Sequence, residues 1–403
     1  MASALSMMHS TEEQVIPDTT LARRFSSPYS RGVPVTEAEK TYSLLGKNSV
    51  FNTVDIDYVF DTDMGQSVIR FGTSIWTTNL QGKSIKGMNQ VALFSSTSKM
   101  SSPSFSLPAG PPREGGTCIA AGKNASRLVR PARGTQPGGS RRDDKGNAFI
   151  CDACYSTAGN YFYPNVAIGQ AARLIWCNRL LKADPSGQLL ADAFVDAIER
   201  TAREGHYKNL SKRMGHELGV WQQGMLTVPG YISGRRGIRR IPIEATQLPP
   251  WTGYSSTTEY FSKSGAKDGD VVGFFRIHDS GDLNVGTKMS VWKSYLRAWE
   301  LTAAALPFVQ FWVPVRTWTA KSMIPDLQRA AQQPNLVIRS SALFVNQSPP
   351  NYPGLSASAV HRGSVGKGHY ACPVTPNDKS SCAQESCRVC WLAPDLIPSY
   401  SEH

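Results

Sequence analysis

Apolar and polar stretches alternate regularly from about residue 270 onward, and the pattern predicts strands and helices that follow each other in turn. Val271–Ile277 (VVGFFRI) has the mostly apolar character of a buried strand, and residues 288–306 place Trp292 and Trp299 on one helical face. The pattern then predicts a strand at 308–315, a helix at 322–332 and a strand within 335–344. This alternation indicates βαβ units, so we expect an α/β fold with a parallel sheet that forms a partial or closed barrel. An open sheet is the alternative, and periodicity does not choose between them.

The first half of the chain has a weaker pattern. Residues 67–75 alternate as a strand does, 90–94 indicate a second strand, and 99–117 contain a short third one. Helices are expected at 166–181 and at Gln188–Arg203, and the second of these has Leu190 and Phe194 on one apolar face.

These patterns predict one main domain. We expect an irregular N-terminal region at 1–60, a single α/β metal-binding domain at 61–392 that ends in a cysteine-rich C-terminal segment, and a tail at 393–403. Within the domain, residues 121–147 and 206–268 are predicted to be basic, irregular insertions.

Polar residues follow three successive predicted strands. His278, Asp279 and Asp282 come after the first strand, Arg316 after the second, and Arg339 near the end of the third. Since parallel sheets place their sites at the carboxyl ends of the strands, we interpret His278, Asp279 and Asp282 as candidate catalytic groups. Arg316 and Arg339 are candidates for binding phosphate or carboxylate groups of a cofactor. The alternative roles are turn capping by the aspartates and ion pairing by the arginines.

Seven of the eight cysteines form two groups, and each group contains one Cys-x-x-Cys pair. The first group is Cys118, Cys151 and Cys154, and the second is Cys372, Cys382, Cys387 and Cys390. Two thiols at this spacing are able to bind one metal, and four thiolates suffice for a tetrahedral zinc or a four-iron cluster. The spacing alone does not choose between iron–sulfur and zinc. The remaining cysteine, Cys177, lies on an apolar helical face and is expected to be a buried structural residue.

Composition narrows the class of partner. The 403 residues carry a formal charge of +12, which favours nucleic acid or nucleotide over a membrane. No apolar segment approaches the length of a membrane span, and the N-terminus lacks the basic and apolar regions of a secretory signal. We therefore expect a cytoplasmic protein with reduced thiols. The oligomeric state is left open.

An ordered set of motifs resembles the phage gene-product-88 family. The motifs, scattered over residues 99–392, are PSFSLPAG, TC, CDACYSTAGNYFYPNV, FFRIHDSGDL, FWVPVRTW, VIRSSAL and CPV…C…CRVCW. The resemblance implies an iron–sulfur layout in which both cysteine groups are ligands, and a protein of the bacterial host cytoplasm. The chain departs from the pattern in the long insertion before Cys151 and in the four residues that separate Cys382 from Cys387.

A more distant similarity connects the chain to radical S-adenosylmethionine enzymes. In that analogy the three N-terminal cysteines hold a cluster with one open iron, and Ser280, Gly281 and Asp282 belong to the cofactor-binding motif. The resulting hypothesis is a phage-type iron–sulfur protein, with one or two 4Fe–4S clusters and S-adenosylmethionine as a further cofactor. It would act on nucleic acid or nucleotide by redox or radical chemistry. The alternatives are a non-enzymatic nucleic-acid-binding protein with structural zinc and a redox-sensing regulator.

Overall fold

Two sheets organise the part of the chain that the computed structural model describes. Those residues are 56–61, 66–78, 84–96, 102–109, 117–118, 142–143, 145–153, 164–203, 219–231, 238–243, 247–374, 382, 385 and 387–402. A small antiparallel sheet has the strand order β1-β2-β3. Its strands are β1 (Ile56–Asp61), β2 (Gln66–Thr78) and β3 (Ser84–Ala92).

The second sheet has eleven strands and is mixed. It contains β4 (Ser95–Ser96), β5 (Pro103–Phe105), β6 (Gly219–Gln222), β7 (Met225–Tyr231), β8 (Ile238–Ile243), β9 (Val271–Ile277), β10 (Val309–Val315), β11 (Leu336–Ser341), β12 (Ser356–His361), β13 (His369–Ala371) and β14 (Ile397–Ser401). Its main path is β13-β14-β12-β11-β10-β9-β6-β7-β8, and β5 pairs with β9 and β4.

The prediction of a parallel sheet is correct for only part of this sheet. Strands β9 to β14 pair in parallel, whereas β6 is antiparallel to β9, and β7 and β8 continue antiparallel. The sheet curls into a half-barrel. Among the described strands the path ends at β13 and β8, which do not pair with each other, so the barrel is not closed.

The described residues form six α-helices. They are α1 (Pro164–Ala183), α2 (Gln188–Arg203), α3 (Thr257–Lys263), α4 (Met289–Ala305), α5 (Ile324–Ala330) and the single turn α6 (Val389–Leu392). Helix α4 joins β9 to β10, and α5 joins β10 to β11. Asp184 begins α2 by accepting the Leu189 amide at 2.8 Å, which satisfies one of the unpaired donors at a helix start.

Alternate residues of the central strands enter two separate cores. Phe275 and Phe311 belong to the larger core, which α1, α2, α4 and α5 cover. Phe274 and Trp312, one residue away on the same strands, belong to a smaller core with Trp391 of α6. Because side chains alternate across a strand, α1, α2, α4 and α5 cover one face of the sheet, and α3 and α6 cover the other.

Three segments differ from the predictions. The described part of 206–268 is not an irregular insertion, since it forms β6, β7, β8 and α3. Pro229 and Pro242 lie inside β7 and β8. Because proline within a sequence argues against a strand, the sequence pattern did not predict these two strands. The predicted tail contains β14, which lies between β12 and β13, and the predicted irregular N-terminal region contains β1. The domain boundaries otherwise stay a prediction.

Candidate functional site

The C-terminal cysteines lie around α6 and the neighbouring edge strands. Cys390 belongs to α6, and both Cys382 and Cys390 pack against the smaller core. The Cys387 amide donates to the Cys382 carbonyl at 2.9 Å, which folds the segment into a tight turn. Cys372 follows β13, and its amide donates to the Ser399 carbonyl of β14 at 2.9 Å. The sheet therefore fixes the backbone on both sides of this cysteine group.

Two tyrosines contact these thiols. The Tyr400 hydroxyl lies 3.2 Å from the Cys390 sulfur, and the Tyr370 hydroxyl lies 3.7 Å from the Cys387 sulfur. Burial first, and then interactions with Cys387, Cys372 and Cys390, raise the pKa of Tyr370. Burial and Cys390 raise the pKa of Tyr400. Both phenols therefore stay protonated at neutral pH and are able to donate to a sulfur.

Arg339 holds the cysteine segment, the residues in and around α6, by hydrogen bonds to its backbone. Its side chain is 0% exposed. The guanidinium donates to five backbone carbonyls, at 2.7 to 3.2 Å: those of Ala357, Val389, Cys390, Ala393 and Leu396. Burial lowers the pKa of Arg339, and Cys390, Tyr400 and Asp395 act in the opposite direction. These five hydrogen bonds favour a structural role for Arg339, while the binding of a cofactor by Arg339 stays a prediction.

Two more arginines border the same segment. Arg388 donates to the carbonyls of Cys382 and Cys387, each at 2.8 Å. The Arg276 guanidinium lies 4.7 Å from the ring centre of Trp312. Burial raises the pKa of the Cys390 thiol, while Arg339 and Arg276 lower it. The surroundings of these cysteines are thus apolar and positively charged.

The N-terminal cysteines lie elsewhere, at the carboxyl ends of the central strands. Cys118 follows Thr117, whose carbonyl accepts the Asn284 amide at 3.3 Å after β9. Cys151 follows Ile150, whose amide donates to the Leu343 carbonyl after β11. Strand β10 lies between β9 and β11 in the sheet. Cys154 lies outside the described residues.

The described thiols are not assembled into a coordination sphere. The seven described cysteines are thiols rather than disulfides. Across the ranges given above, no three Cys, His, Asp or Glu side chains form a group that could hold a metal ion. The donor types suit a soft metal, but the arrangement does not fit one as it stands. Cys177 is 0% exposed in the larger core, which confirms its burial.

His278 ends β9 in an unusual environment. Its backbone adopts φ 63°, and its side chain is 1% exposed. The Nε2 atom lies 2.9 Å from the Tyr295 hydroxyl, and the two rings are stacked. Burial, with a contribution from Arg276, lowers the pKa of His278 to about 3. His278 is therefore neutral at physiological pH. As a catalytic acid or base it stays a prediction, because nothing described brings a reactant to it.

Asp279 belongs to a buried network with helix α1. It accepts a hydrogen bond from the Ser106 hydroxyl and is 3% exposed. It also interacts electrostatically with Arg173, whose guanidinium donates to the carbonyls of Leu93 and Ala92, each at 2.8 Å. Burial lowers the pKa of Arg173 to about 10. This network connects the strand-end loop to β3 and α1.

Ser280 and Gly281 complete the turn after β9. The Ser280 carbonyl accepts the Leu107 amide at 2.9 Å, and its hydroxyl has no hydrogen-bond partner among the described residues. Gly281 has φ 85°, and a Cβ atom there would lie 2.5 Å from the Thr117 hydroxyl oxygen and 2.8 Å from the Leu107 Cβ. The position therefore requires glycine for both backbone conformation and space. Roles in cofactor binding stay predictions.

Asp282 joins the ends of two strands. Its carboxylate accepts the Arg316 amide at 2.8 Å and the Thr317 hydroxyl at 2.7 Å. The Arg316 side chain in turn donates to the Ala342 carbonyl after β11 at 3.2 Å. Burial raises the pKa of Asp282, whereas these donors lower it. Asp282 and Arg316, which follow β9 and β10, therefore meet at one edge. Arg339 lies inside β11 and contacts the segment around α6 instead.

Several residues of these clusters were not found from the sequence. They are Ser106, Arg173, Tyr295, Tyr370, Arg388 and Tyr400. Arg173 left one signal, because it is a single charge within an apolar helical run (ARLIW). The tyrosines left none, because each contacts a side chain 10 to 17 residues away, and no local periodicity records such a contact.

Comparison with known proteins adds no family. No family model, no curated protein and no solved structure matches the chain. The resemblance to the phage gene-product-88 family thus stays a prediction. Of the helices in the described ranges, none has the length and apolar character needed to cross a membrane.

Proposed function

We propose that this protein binds a metal through its C-terminal cysteines, as an iron–sulfur protein in preference to a zinc protein. The ligands would be Cys372, Cys382, Cys387 and Cys390. The observation that carries metal binding is the buried positive charge of Arg339 beside Cys390. The preference for iron–sulfur over zinc follows from the family resemblance.

A buried cation costs several kcal/mol unless an anion balances it. Arg339 is fully buried, and its hydrogen-bond acceptors are neutral carbonyls. The ionisable groups that act on it are Cys390, Tyr400 and the exposed Asp395. Tyr400 stays protonated, so Cys390 is the buried group that is able to supply negative charge. A metal centre with four thiolates carries a net negative charge, and it would balance Arg339.

The neighbouring groups support the same proposal. Tyr370 and Tyr400 are donors beside Cys387 and Cys390, and hydrogen bonds to ligand sulfurs tune both the potential and the stability of thiolate metal centres. An iron–sulfur cluster held here would supply electron-transfer chemistry. The thiols would have to move closer together than their described positions, since these do not form a ready site.

The proposed chemistry on nucleic acid or nucleotide rests on the family resemblance alone. A phage-type protein of the host cytoplasm, acting on nucleic acid or nucleotide by redox or radical chemistry, would use Cys118, Cys151 and Cys154 for an open cluster with S-adenosylmethionine. Polar groups after β9, including His278 and Asp282, would then face that second centre. The cysteine substitutions in the metal analysis test only the C-terminal centre.

The test is metal analysis of protein purified without oxygen. We expect iron and sulfide with visible absorption, reduced in Cys387→Ala and Cys390→Ala but unchanged in Cys177→Ala, whose thiol is buried elsewhere. One zinc per chain and no colour would replace the iron–sulfur assignment by structural zinc. A folded protein with neither metal would refute the proposal.

A further inference from the structure

A buried donor on the face of the sheet that α6 covers has no acceptor among the described residues. Trp312 lies in β10 with its side chain in the smaller core, and the residue is 4% exposed. Its indole Nε1–H is buried and makes no hydrogen bond there. Because an unpaired buried donor is unfavourable, such an atom indicates that a group outside the polypeptide accepts from it.

The Trp312 indole belongs to the surroundings of Cys390. Its ring centre lies 5.2 Å from that of Trp391, the residue that follows Cys390 in α6. Cys390 packs against the same smaller core. The Arg276 guanidinium, 4.7 Å from the Trp312 ring centre, is also close enough to act electrostatically on the Cys390 thiol. These contacts place the unpaired donor in the neighbourhood of this cysteine.

The charge beside Cys390 distinguishes between possible acceptors. Arg339 is 0% exposed, donates to neutral carbonyls and acts on Cys390 from the sheet. A water molecule would accept from the indole but would not balance this buried cation. A metal held by four thiolates is anionic, and its sulfur atoms accept hydrogen bonds, so it would do both.

We propose that the Trp312 Nε1–H donates a hydrogen bond to a sulfur atom of the metal centre that the C-terminal cysteines hold. The inference rests on the proposed metal centre and adds a residue that lies outside both cysteine groups. Trp312 is a positioning residue and not a ligand. Donors of this kind orient the ligands and stabilise their negative charge, so removing one weakens metal binding.

The experiment compares the unchanged chain with Trp312→Phe, which keeps an aromatic ring and removes the donor. Trp299→Phe is the matched control, because Trp299 is 1% exposed in the larger core on the opposite face of the sheet. Each metal-free protein is titrated with zinc against a competing chelator. Zinc is the probe because four thiolates bind it and it is diamagnetic. Indole nitrogen–proton spectra of the same samples are recorded with and without zinc.

We expect Trp312→Phe to bind zinc about 10- to 100-fold more weakly than the unchanged chain, and Trp299→Phe to stay within about threefold of it. The indole proton signal that is missing in Trp312→Phe should move downfield when zinc binds to the unchanged chain. Circular dichroism confirms that each variant is folded.

Two results separate this inference from the metal centre on which it rests. Equal zinc affinity in Trp312→Phe and the unchanged chain, or a Trp312 signal that zinc does not move, would refute the role of Trp312 and leave the metal centre in place. An unchanged chain that binds no zinc, and holds no iron when purified without oxygen, would refute both.

Discussion

Replacing Arg339 with methionine tests how the cysteine segment is held on the sheet. Methionine has a similar length and fills the same buried space, but it cannot donate hydrogen bonds. The five carbonyls that Arg339 now contacts would lose that donor. The positive charge beside Cys390 would disappear as well.

The magnitude follows from which carbonyls keep another donor. The Val389 carbonyl also accepts the Ala393 amide, and the Ala393 carbonyl also accepts the Leu396 amide. At most three of the five carbonyls therefore become unsatisfied, at about 1–3 kcal/mol each. Removing a buried cation recovers part of that cost. We expect the free energy of unfolding to fall by about 3–6 kcal/mol, a large share of the stability of a typical domain.

Urea unfolding followed by tryptophan fluorescence measures this change, because Trp391 packs beside the anchored segment. Arg362→Met is the control, since Arg362 is exposed and pairs with Glu402 at the surface. It should shift the midpoint far less. A change below about 1 kcal/mol for Arg339→Met would refute the view that this residue anchors the segment.

Two further predictions concern the loop after β9. His278 has a pKa of about 3 in the folded state and about 6.5 in the unfolded state. Above pH 6.5 it is neutral in both states, and as pH falls from 6.5 toward 3 only the unfolded state is protonated, so the free energy of unfolding falls. Between pH 7.5 and pH 5 the free energy of unfolding falls by about 2 kcal/mol because of His278. The variant His278→Asn, in which asparagine tolerates the positive φ, should remove that part of the pH dependence in urea unfolding. An unchanged pH profile would contradict the buried, neutral histidine. Gly281→Ala should lower the free energy of unfolding by about 2–4 kcal/mol because the new Cβ meets Thr117 and Leu107, whereas Gly146→Ala, at φ 81° with no atom within 4 Å, should cost about 1 kcal/mol. Similar losses in thermal or urea unfolding for the two alanine variants would show that backbone conformation alone, not space, requires glycine at 281.

The sequence by itself determined the elements whose burial is written in local periodicity. The bounds of α2 and β9 agree with the predicted bounds, and α4 and β10 agree within a residue or two at each end. Long amphipathic helices and apolar strands carry this signal because one face or both faces meet a core. The polar residues after β9, β10 and β11 were also predicted to meet at one edge, and the contact between Asp282 and Arg316 agrees with this for the first two strands. Arg339 lies inside β11 and contacts the backbone around α6 instead.

Only the tertiary structure decided how the strands pair and what the polar side chains contact. Strands β7 and β8 contain prolines, and β14 is short, so their place in the sheet depends on neighbours rather than on their own pattern. The carbonyls of α6 that Arg339 holds lie about fifty residues further along the chain. No periodicity records a contact at that separation, because the partner is chosen by the folded sheet. A local pattern reports whether a residue is buried, and the fold alone determines what it is buried against.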